Sequence, residues 1–306
     1  MRWFWQARKR SHQVADQPDL PRDETTEHSQ ESDGSRSMQT FPPHVFAVTD
    51  VGRVREHNED AYHVSGDGNL FVVADGMGGH EAGEVAAAQA IGAIVEYLLP
   101  ERLTAAAEEG ELSSVLLEAV LTAHGRVSEA NRSRESGKEM GCTIAVGYVF
   151  DHRLVTCHVG DVRCYISSRG VLRQITHDHS FVGSLVQAGQ LTPEEARVHP
   201  NKNEVLQAIG MPAGIVPDVN GVDLATGDRI LLCSDGLWEA LPNQDIEAIL
   251  TSDGTSRQLA TQLVGRANGA GGTDNITAVL IEVGHFPERP ARGPHGEGGK
   301  AGKGVE

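Results

Sequence analysis

The sequence predicts an α+β domain in which helices lie over antiparallel sheet. Short runs rich in Val, Ile and aromatic residues, each bounded by Gly, Asp or Asn, indicate β-strands. Two longer stretches carry apolar residues at the spacing of an amphipathic helix. Because these two helices follow one another, and strands do not alternate strictly with helices, the order of elements does not favour a parallel sheet.

These patterns place each element on the chain. The predicted strands cover 45–51, 70–74, 143–149, 153–159, 229–233 and 276–283. The predicted long helices cover 81–99, with Val85, Ile91 and Leu98 at helical spacing, and 112–134. Residues 176–210 are polar and His-rich, and we interpret them as a subdomain inserted over one end of the sheet. Short helices are expected there, at 181–188 and after Thr192-Pro193, where Thr caps the helix and Pro occupies its first turn.

The chain of 306 residues, 39% of them hydrophobic, is long enough to form a sizeable core. We place the folded domain at 41–284. Residues 1–40 are polar and charged, and residues 285–306 are rich in Gly and Pro, so both have the composition of disordered segments.

The charge balance excludes several classes of partner. Asp and Glu number 43 against 26 Lys and Arg, which gives a net charge of −17. Phosphate backbones and anionic lipids would repel such a chain, so nucleic-acid and membrane-surface binding are not expected. No apolar run approaches the ~20 residues of a membrane helix, and the start of the chain turns polar too soon for a signal peptide. We therefore expect a soluble, cytoplasmic protein.

The cysteines indicate a reducing compartment. Each lies within an apolar run and none forms a C-x-x-C pair, so buried thiols are favoured over disulfides or a zinc site. They are Cys142, Cys157, Cys164 and Cys233.

Acidic residues at the ends of predicted strands are the main chemical signal. A single Asp-Gly pair most often marks a turn. Several such carboxylates without His or Cys at ligand spacing indicate a hard cation, Mg²⁺ or Mn²⁺, and like charges this close would repel one another unless cations lay between them. The residues are Glu59, Asp60, Asp75, Asp161, Asp235 and Asp274.

Six motifs together resemble the protein phosphatase 2C (PPM) family, and above all its bacterial members. They are Gly52-Arg53-Val54-Arg55-Glu56-His57-Asn58-Glu59-Asp60, Ala74-Asp75-Gly76-Met77-Gly78-Gly79-His80, Gly141-Cys142-Thr143, Val159-Gly160-Asp161, Cys233-Ser234-Asp235-Gly236-Leu237-Trp238-Glu239 and Gly272-Thr273-Asp274-Asn275-Ile276-Thr277. The resemblance covers about 43–284, and 176–210 looks like the flap subdomain of that family.

The resemblance implies a fold and an activity. The fold is a four-layer α-β-β-α sandwich of two antiparallel sheets with helices outside. The activity is metal-dependent hydrolysis of phosphoserine and phosphothreonine in proteins, by a water activated between two Mn²⁺ or Mg²⁺ ions. The implied partners are Ser/Thr kinases and their phosphorylated targets, and we expect a monomer.

Matching positions assign the metal ligands. Asp75 would bridge the two ions, and the backbone carbonyl of Gly76 would complete the coordination of one of them. Asp235 and Asp274 would bind the second ion.

The remaining matched residues would surround the ions. Glu59 and Asp60 would hold metal-bound waters, and Asp161 would be a ligand of a third ion. Arg55 matches the arginine that grips the substrate phosphate, for which a planar guanidinium is better suited than an ammonium. Asp75 and Arg55 are thus the implied catalytic residues.

Two positions depart from the family pattern. Met77 stands where animal members carry a His that is a candidate general acid, which leaves His80 or a metal-bound water as candidates. Val162 follows Asp161 where Ser is common, so a hydrogen bond near the third metal position is missing.

Other readings of the sequence lead to different functions. The spacing Cys157-x₅-Arg163 is that of a cysteine-dependent phosphatase loop, but Asp161 would put a negative charge inside the phosphate cradle. Within the family, the alternatives are a phosphatase of an anti-sigma-factor antagonist and a non-catalytic phosphoprotein-binding relative.

Five histidines are further candidate ligands. They lack an i, i+4 pair on a convincing helix, so the sequence favours structural or surface roles for them. They are His57, His158, His177, His179 and His199.

Overall fold

The computed structural model describes residues 44–78, 81–134 and 139–284. The predictions made for 1–40 and 285–306 lie outside the described residues. The limits that we set for the domain, 41–284, stay a prediction.

Ten strands, numbered in chain order, form two five-stranded antiparallel sheets. In spatial order, the first sheet contains β1 (Val45–Asp50), β10 (Ile276–Glu282), β9 (Arg229–Cys233), β6 (Arg163–Ser168) and β7 (Val171–Gln174). The second contains β2 (Asp60–Val64), β3 (Leu70–Met77), β4 (Gly141–Phe150), β5 (Arg153–Val159) and β8 (Asp218–Asp223).

Helices cover the outer face of each sheet, which confirms the predicted four-layer α-β-β-α sandwich. The second sheet is covered by α1 (Glu81–Tyr97), α2 (Pro100–Glu109) and α3 (Leu112–Arg132). The first sheet is covered by α6 (Asp235–Trp238), α7 (Asn243–Leu250) and α8 (Ser256–Gly269). Two short helices, α4 (Phe181–Gln187) and α5 (Pro193–Arg197), lie in the inserted stretch.

Strand β4 contributes side chains to two layers of the core. Nine of its ten residues are buried, because helices cover one face of its sheet and the other sheet covers the opposite face. Ile144 and Val146 pack toward the helices, whereas Ala145 and Val149 belong to the core between the sheets. This alternation follows from the two-residue period of a strand.

Helix α1 packs on its sheet mainly through alanines, whose small side chains let the helix backbone approach closely. The buried alanines are Ala82, Ala86, Ala87, Ala90 and Ala93. Ile91 and Leu98, which the helical spacing singled out, are buried as well, but Val85 is 37% exposed.

Local sequence signals placed several elements accurately. Strands β5 and β9 have the bounds that the sequence predicted, and Thr192 forms a capping box with Glu195 at the start of α5. Helix α2 was not predicted. It begins at Pro100 and ends before Gly110, which adopts a left-handed conformation with φ of 80°.

One predicted boundary was wrong in a way that matters for the site. The strand expected to end at residue 74 continues to Met77, so Asp75 lies within β3 rather than after it. The backbone at Asp75 is therefore paired on both sides, to Asp60 on β2 and to Thr143 on β4.

Within the described ranges, no single helix is long and apolar enough to cross a membrane. Helices α1 and α2 meet the length and composition criteria only when taken together, and they are bent by 64° relative to each other.

Close packing between β4 and β3 predicts the effect of one substitution. A Cβ on Gly147 would overlap the ring of Phe71, which is completely buried. We expect Gly147→Ala to lower the free energy of unfolding by about 1–3 kcal/mol, because the buried ring has no room to move. Urea denaturation followed by circular dichroism measures this change.

Gly125 provides the matched control. It is exposed in the middle of α3, and a Cβ there would meet nothing within 4 Å. Gly125→Ala should raise the free energy of unfolding by about 0.5–1 kcal/mol. Equal effects of the two substitutions would contradict the packing described for Gly147.

Candidate active site

Two carboxylates of the site come from neighbouring strands of the second sheet. Asp60 is the first residue of β2 and lies directly opposite Asp75 of β3. Residues opposite each other in an antiparallel pair project to the same face, with Cβ atoms about 5 Å apart. The register of one strand pair therefore brings two negative charges together.

Two more carboxylates come from the first sheet. Asp235 begins α6 two residues after the last residue of β9, and Asp274 lies two residues before the first residue of β10. Because β9 and β10 are antiparallel neighbours, the end of one and the start of the other lie at the same edge. Gly236 permits the close approach, since a Cβ there would clash with the backbone carbonyl of Asn275.

Hydrogen bonds from the first sheet hold Asp60 across the gap between the sheets. Its Oδ2 accepts from Ser234 Oγ and from Thr277 Oγ1, both at 2.6 Å. Ser234 Oγ in turn accepts from the Thr277 amide at 2.9 Å. The sequence analysis gave Ser234 and Thr277 no role, although Ser234 directly precedes Asp235 and Thr277 follows Asp274 by three residues.

Asn275 organises the loop that carries Arg55 and Glu59. Its Oδ1 accepts from the Glu59 amide at 2.8 Å. Its Nδ2 donates to the carbonyls of Val51 and His57, both at 2.9 Å. This single amide side chain ties the loop after β1 to the start of β10, which is a second role that the sequence analysis missed.

Glu59 lies buried between the end of β3 and the start of α1. Its carbonyl accepts from the Gly76 amide at 3.1 Å, and its carboxylate fills the space where a side chain on Gly83 would be. Gly83 is therefore required by the position of Glu59.

Arg55 stands at the rim of the carboxylate cluster. Its side chain is 48% exposed, and its Nη2 donates to Asp274 Oδ2 at 2.6 Å. The other oxygen of Asp274 accepts from the Asn275 amide at 2.8 Å. The guanidinium thus lies next to the predicted metal ligands and remains open to solvent.

Burial and mutual repulsion raise the pKa values of the clustered carboxyl groups. Burial, followed by the charges of Asp235 and Asp60, raises the pKa of Asp75 well above its usual range. Burial and the charge of Asp161 do the same for Asp235. Burial raises the pKa of Asp60 to about 6, despite the hydrogen bonds from the two hydroxyls. The negative charges of these carboxylates therefore raise one another's pKa values.

The donor set fits hard divalent cations. Among the described residues, none donates a hydrogen bond to the side chains of Asp75 or Asp235, so their oxygens remain available as ligands. The groups gathered around them are carboxylates, and oxygen ligands of this kind suit Mg²⁺ and Mn²⁺. A cation between the carboxylates would remove the repulsion that raises their pKa values.

Asp161 is held by a group of side chains that the sequence analysis did not assign. Trp238 Nε1 donates to the Asp161 carbonyl at 3.0 Å. The guanidinium of Arg163 lies 3.5 Å from the centre of the Trp238 ring and makes a two-pronged ion pair with Asp178, at 2.7 and 3.0 Å. Burial, followed by the charge of Asp178, raises the pKa of Asp161 to about 7.

The geometry contradicts the cysteine-dependent alternative. Cys157 is completely buried in β5, and burial raises the pKa of its thiol to about 12, so it is not a thiolate near neutral pH. Arg163 begins β6 in the other sheet and is paired with Asp178. All four cysteines are free and buried, as the sequence predicted.

The candidate general acid His80 lies outside the described residues. Met77, which stands at the position of the animal-type histidine, is the last residue of β3.

Comparison with known proteins agrees with this architecture. The sequence profile described as Protein phosphatase 2C matches residues 52–280. The chain belongs to the protein phosphatase 2C family. It is accordingly a protein serine/threonine phosphatase.

Bacterial relatives in this family are similar over most of the chain. The serine/threonine phosphatase stp of Listeria monocytogenes is 35% identical over 78% of this chain and 95% of its own length. Protein phosphatase PhpP of Streptococcus pneumoniae is 36% identical over 78% of this chain and 97% of its own.

Solved structures in the phosphatase 2C family share the fold. The Mycobacterium tuberculosis serine/threonine phosphatase PstP/Ppp superposes with a TM-score of 0.71 at 34% identity, covering 79% of this chain and 98% of its own. The catalytic domain of PstP in complex with two manganese ions superposes with a TM-score of 0.68 at 33% identity, with the same coverage.

The buried ion pair beside Asp161 predicts a large loss of stability. Arg163→Met would leave Asp178 as an unpaired buried charge, because the side chains of both partners are at most 14% exposed. We expect the free energy of unfolding to fall by about 3–5 kcal/mol. Urea denaturation at neutral pH measures the loss.

The surface pair of Arg126 and Glu96, at 2.6 Å, serves as the control. Arg126→Met should leave the free energy of unfolding nearly unchanged, since solvent already screens both charges. If Arg163→Met were as mild as Arg126→Met, the ion pair would not be what holds this part of the structure.

Proposed function

We propose that this phosphatase removes phosphate from phosphoserine and phosphothreonine in proteins with the help of two divalent cations, Mn²⁺ or Mg²⁺, and so opposes Ser/Thr kinases. The observation that carries the proposal is the convergence of buried carboxylates from both sheets, with oxygens on Asp75 and Asp235 that receive no hydrogen bond from the described residues. The related PstP domain in complex with two manganese ions supports the choice of metal.

Asp75 is the residue best placed to lie between the two cations. It lies near the end of β3, opposite Asp60 in the strand register, and the charges of four aspartates, Asp60 among them, act on it. The Gly76 carbonyl, next along the strand, would complete one coordination sphere, and Asp235 and Asp274 would hold the second ion. The pair of ions, when bound, would lower the pKa of water and neutralise charge on the phosphoryl oxygens.

The outer carboxylates have a different task. Asp60 uses one oxygen to accept from Ser234 and Thr277, which leaves the other to orient a water molecule. Glu59, anchored through its backbone by Asn275, would orient another. Asp161 would be the ligand of a third, weaker ion.

Arg55 would bind the phosphate of the substrate. Its guanidinium already reaches a carboxylate oxygen of Asp274, so a phosphate entering beside that residue lies within its reach. The planar fork can donate to two phosphate oxygens at once. This contact exists before and during the reaction, so it contributes mainly to binding.

The inserted stretch, 176–210, would select among protein substrates. It contributes none of the proposed ligands, yet it is anchored beside Asp161 through Asp178 and it exposes Val198, at 83%, to solvent. An exposed apolar side chain on this stretch suits contact with a protein rather than with a small phosphate ester.

Substitution of Asp75 tests the proposal directly. Activity on p-nitrophenyl phosphate should require Mn²⁺ or Mg²⁺ and should disappear in EDTA. Asp75→Asn should lower kcat by at least ~10³, equivalent to ~4 kcal/mol of barrier, because a charge is lost from both coordination spheres. Steady-state kinetics at saturating Mn²⁺ measures this loss.

Stability separates a catalytic effect from misfolding. The raised pKa of Asp75 makes its charge unfavourable in the metal-free fold near neutral pH, and this cost vanishes at acid pH where the group is protonated in both states. In EDTA at pH 7.5, Asp75→Asn should therefore unfold at higher urea than the wild type. Full activity in chelator, or an inactive variant that is also unfolded, would contradict this account.

Cys157→Ser is the control for the thiolate mechanism. A buried thiol with a raised pKa takes no part in phosphate chemistry, so the variant should keep its kcat and lose only some stability from the buried hydroxyl. A folded but inactive Cys157→Ser protein would overturn the metal mechanism.

Arg55→Ala should raise KM for p-nitrophenyl phosphate at least tenfold and change kcat less, because the lost contact acts in the ground state as well as the transition state. Arg53, also exposed and two residues earlier, is the matched control, and Arg53→Ala should leave KM within about twofold of the wild type. If the two substitutions raised KM equally, the cause would be the general loss of positive charge and not the loss of a specific contact between Arg55 and phosphate.

A further inference from the structure

A second cluster of ligand-type side chains lies apart from the carboxylate site. One donor atom from each of His158, His179 and Asp218 lies within 4.8 Å of the others. The three residues belong to β5, to the stretch before α4 and to the start of β8. Only the fold brings them together, which is why the sequence favoured structural or surface roles for both histidines.

His158 has a buried nitrogen with no partner. The side chain is completely buried, and its Nε2 lies 2.8 Å from the carbonyl of His177, to which it donates. Its Nδ1 therefore carries the lone pair, and no hydrogen-bond donor reaches that atom within the described residues. Burial lowers the pKa of His158, which keeps the ring neutral. A metal-binding histidine usually shows this arrangement, with its second nitrogen fixed by a carbonyl.

His179 and Asp218 complete the cluster. Asp218 lies opposite His158 in the register of β5 and β8, so the two side chains share one face. His179 Nε2 lies 3.4 Å from Asp218 Oδ2. Two ligands of a tetrahedral zinc ion with bonds of about 2.0–2.2 Å are separated by about 3.4 Å. Asp218 is 44% exposed, which gives an ion and a water access from solvent.

Backbone hydrogen bonds hold His179 in place. Its amide donates to the Gly160 carbonyl at 2.9 Å, and its carbonyl accepts from the Leu206 amide at 2.7 Å. One contact competes with a metal, because the Gly160 amide lies 3.3 Å from His179 Nδ1. A cation on Nε2 would leave the ring proton on Nδ1, so this long contact would be given up. Gly160 directly precedes Asp161, which links the cluster to the proposed third metal position.

We propose that His158, His179 and Asp218 bind a transition-metal cation, with Zn²⁺ as the best match, and that water fills the fourth position. Two imidazoles and one carboxylate are a donor set that suits zinc. The carboxylate site, which offers oxygen only, suits Mn²⁺ or Mg²⁺ instead. The two sites therefore differ in the metal that they select, and this proposal does not depend on the catalytic one.

Metal titration of the full chain tests the site. With Mn²⁺ saturating the carboxylates, Co²⁺ serves as a spectroscopic probe and Zn²⁺ as the competitor. Four-coordinate Co²⁺ on nitrogen ligands absorbs visible light much more strongly than six-coordinate Co²⁺ on oxygen. We expect one strongly absorbing Co²⁺ per chain, displaced by one Zn²⁺.

Variants assign the signal to its ligands. His179→Ala and Asp218→Asn should each weaken Zn²⁺ binding at least ~10-fold. Asp218→Asn is the safer variant for folding, since its side chain is partly exposed. His177→Ala is the matched control, because it removes an exposed imidazole and keeps the carbonyl that orients His158. Asp75→Asn should leave the Co²⁺ signal unchanged.

Three outcomes would overturn the site. The first is the absence of a strongly absorbing Co²⁺ species in the wild type. The second is equal Zn²⁺ affinity in the wild type, His179→Ala and Asp218→Asn. The third is a Co²⁺ signal that disappears in Asp75→Asn, since the ion would then belong to the carboxylate site.

Discussion

Repulsion among buried carboxylates is the constraint on which the rest of this structure depends. Asp75 and Asp235 come from different sheets, and burial together with neighbouring negative charge raises the pKa of each. A fold that holds such groups together gives up stability in the absence of cations. Part of the acidic surplus of the chain is thus concentrated at one edge of the sandwich, at the site that we propose for divalent cations.

The sandwich holds the carboxylates in place with neutral groups rather than with cationic side chains. Two hydroxyls from the first sheet hold Asp60 of the second sheet, and the amide of Asn275 ties down the loop that carries Glu59. Such neutral donors orient a carboxylate without cancelling its charge. The rim residue Arg55 is the exception, since it pairs with Asp274 and its side chain is 48% exposed.

Asp161 connects the carboxylate site to the inserted subdomain. Trp238 holds its carbonyl, Arg163 stacks on Trp238, and Asp178 of the inserted stretch pairs with Arg163. On the other side of Asp161, the Gly160 amide contacts His179. Packed and hydrogen-bonded groups thus connect the inserted stretch to Asp161, the residue that we propose as ligand of a third ion.

The sequence by itself determined six of the ten strands, the two long helices, the Thr192 cap and the identity of the acidic residues, because local periodicity and short motifs carry this information. Strands β2, β6, β7 and β8 were not predicted. The tertiary structure decided what required long-range contact. The partners of Asp60 lie more than 170 residues away, and His158 meets Asp218 only through strand register. A local sequence pattern does not reveal such contacts, because the residues are far apart along the chain. The contacts form, and stabilise the fold, only when the two sheets pack and the strands pair.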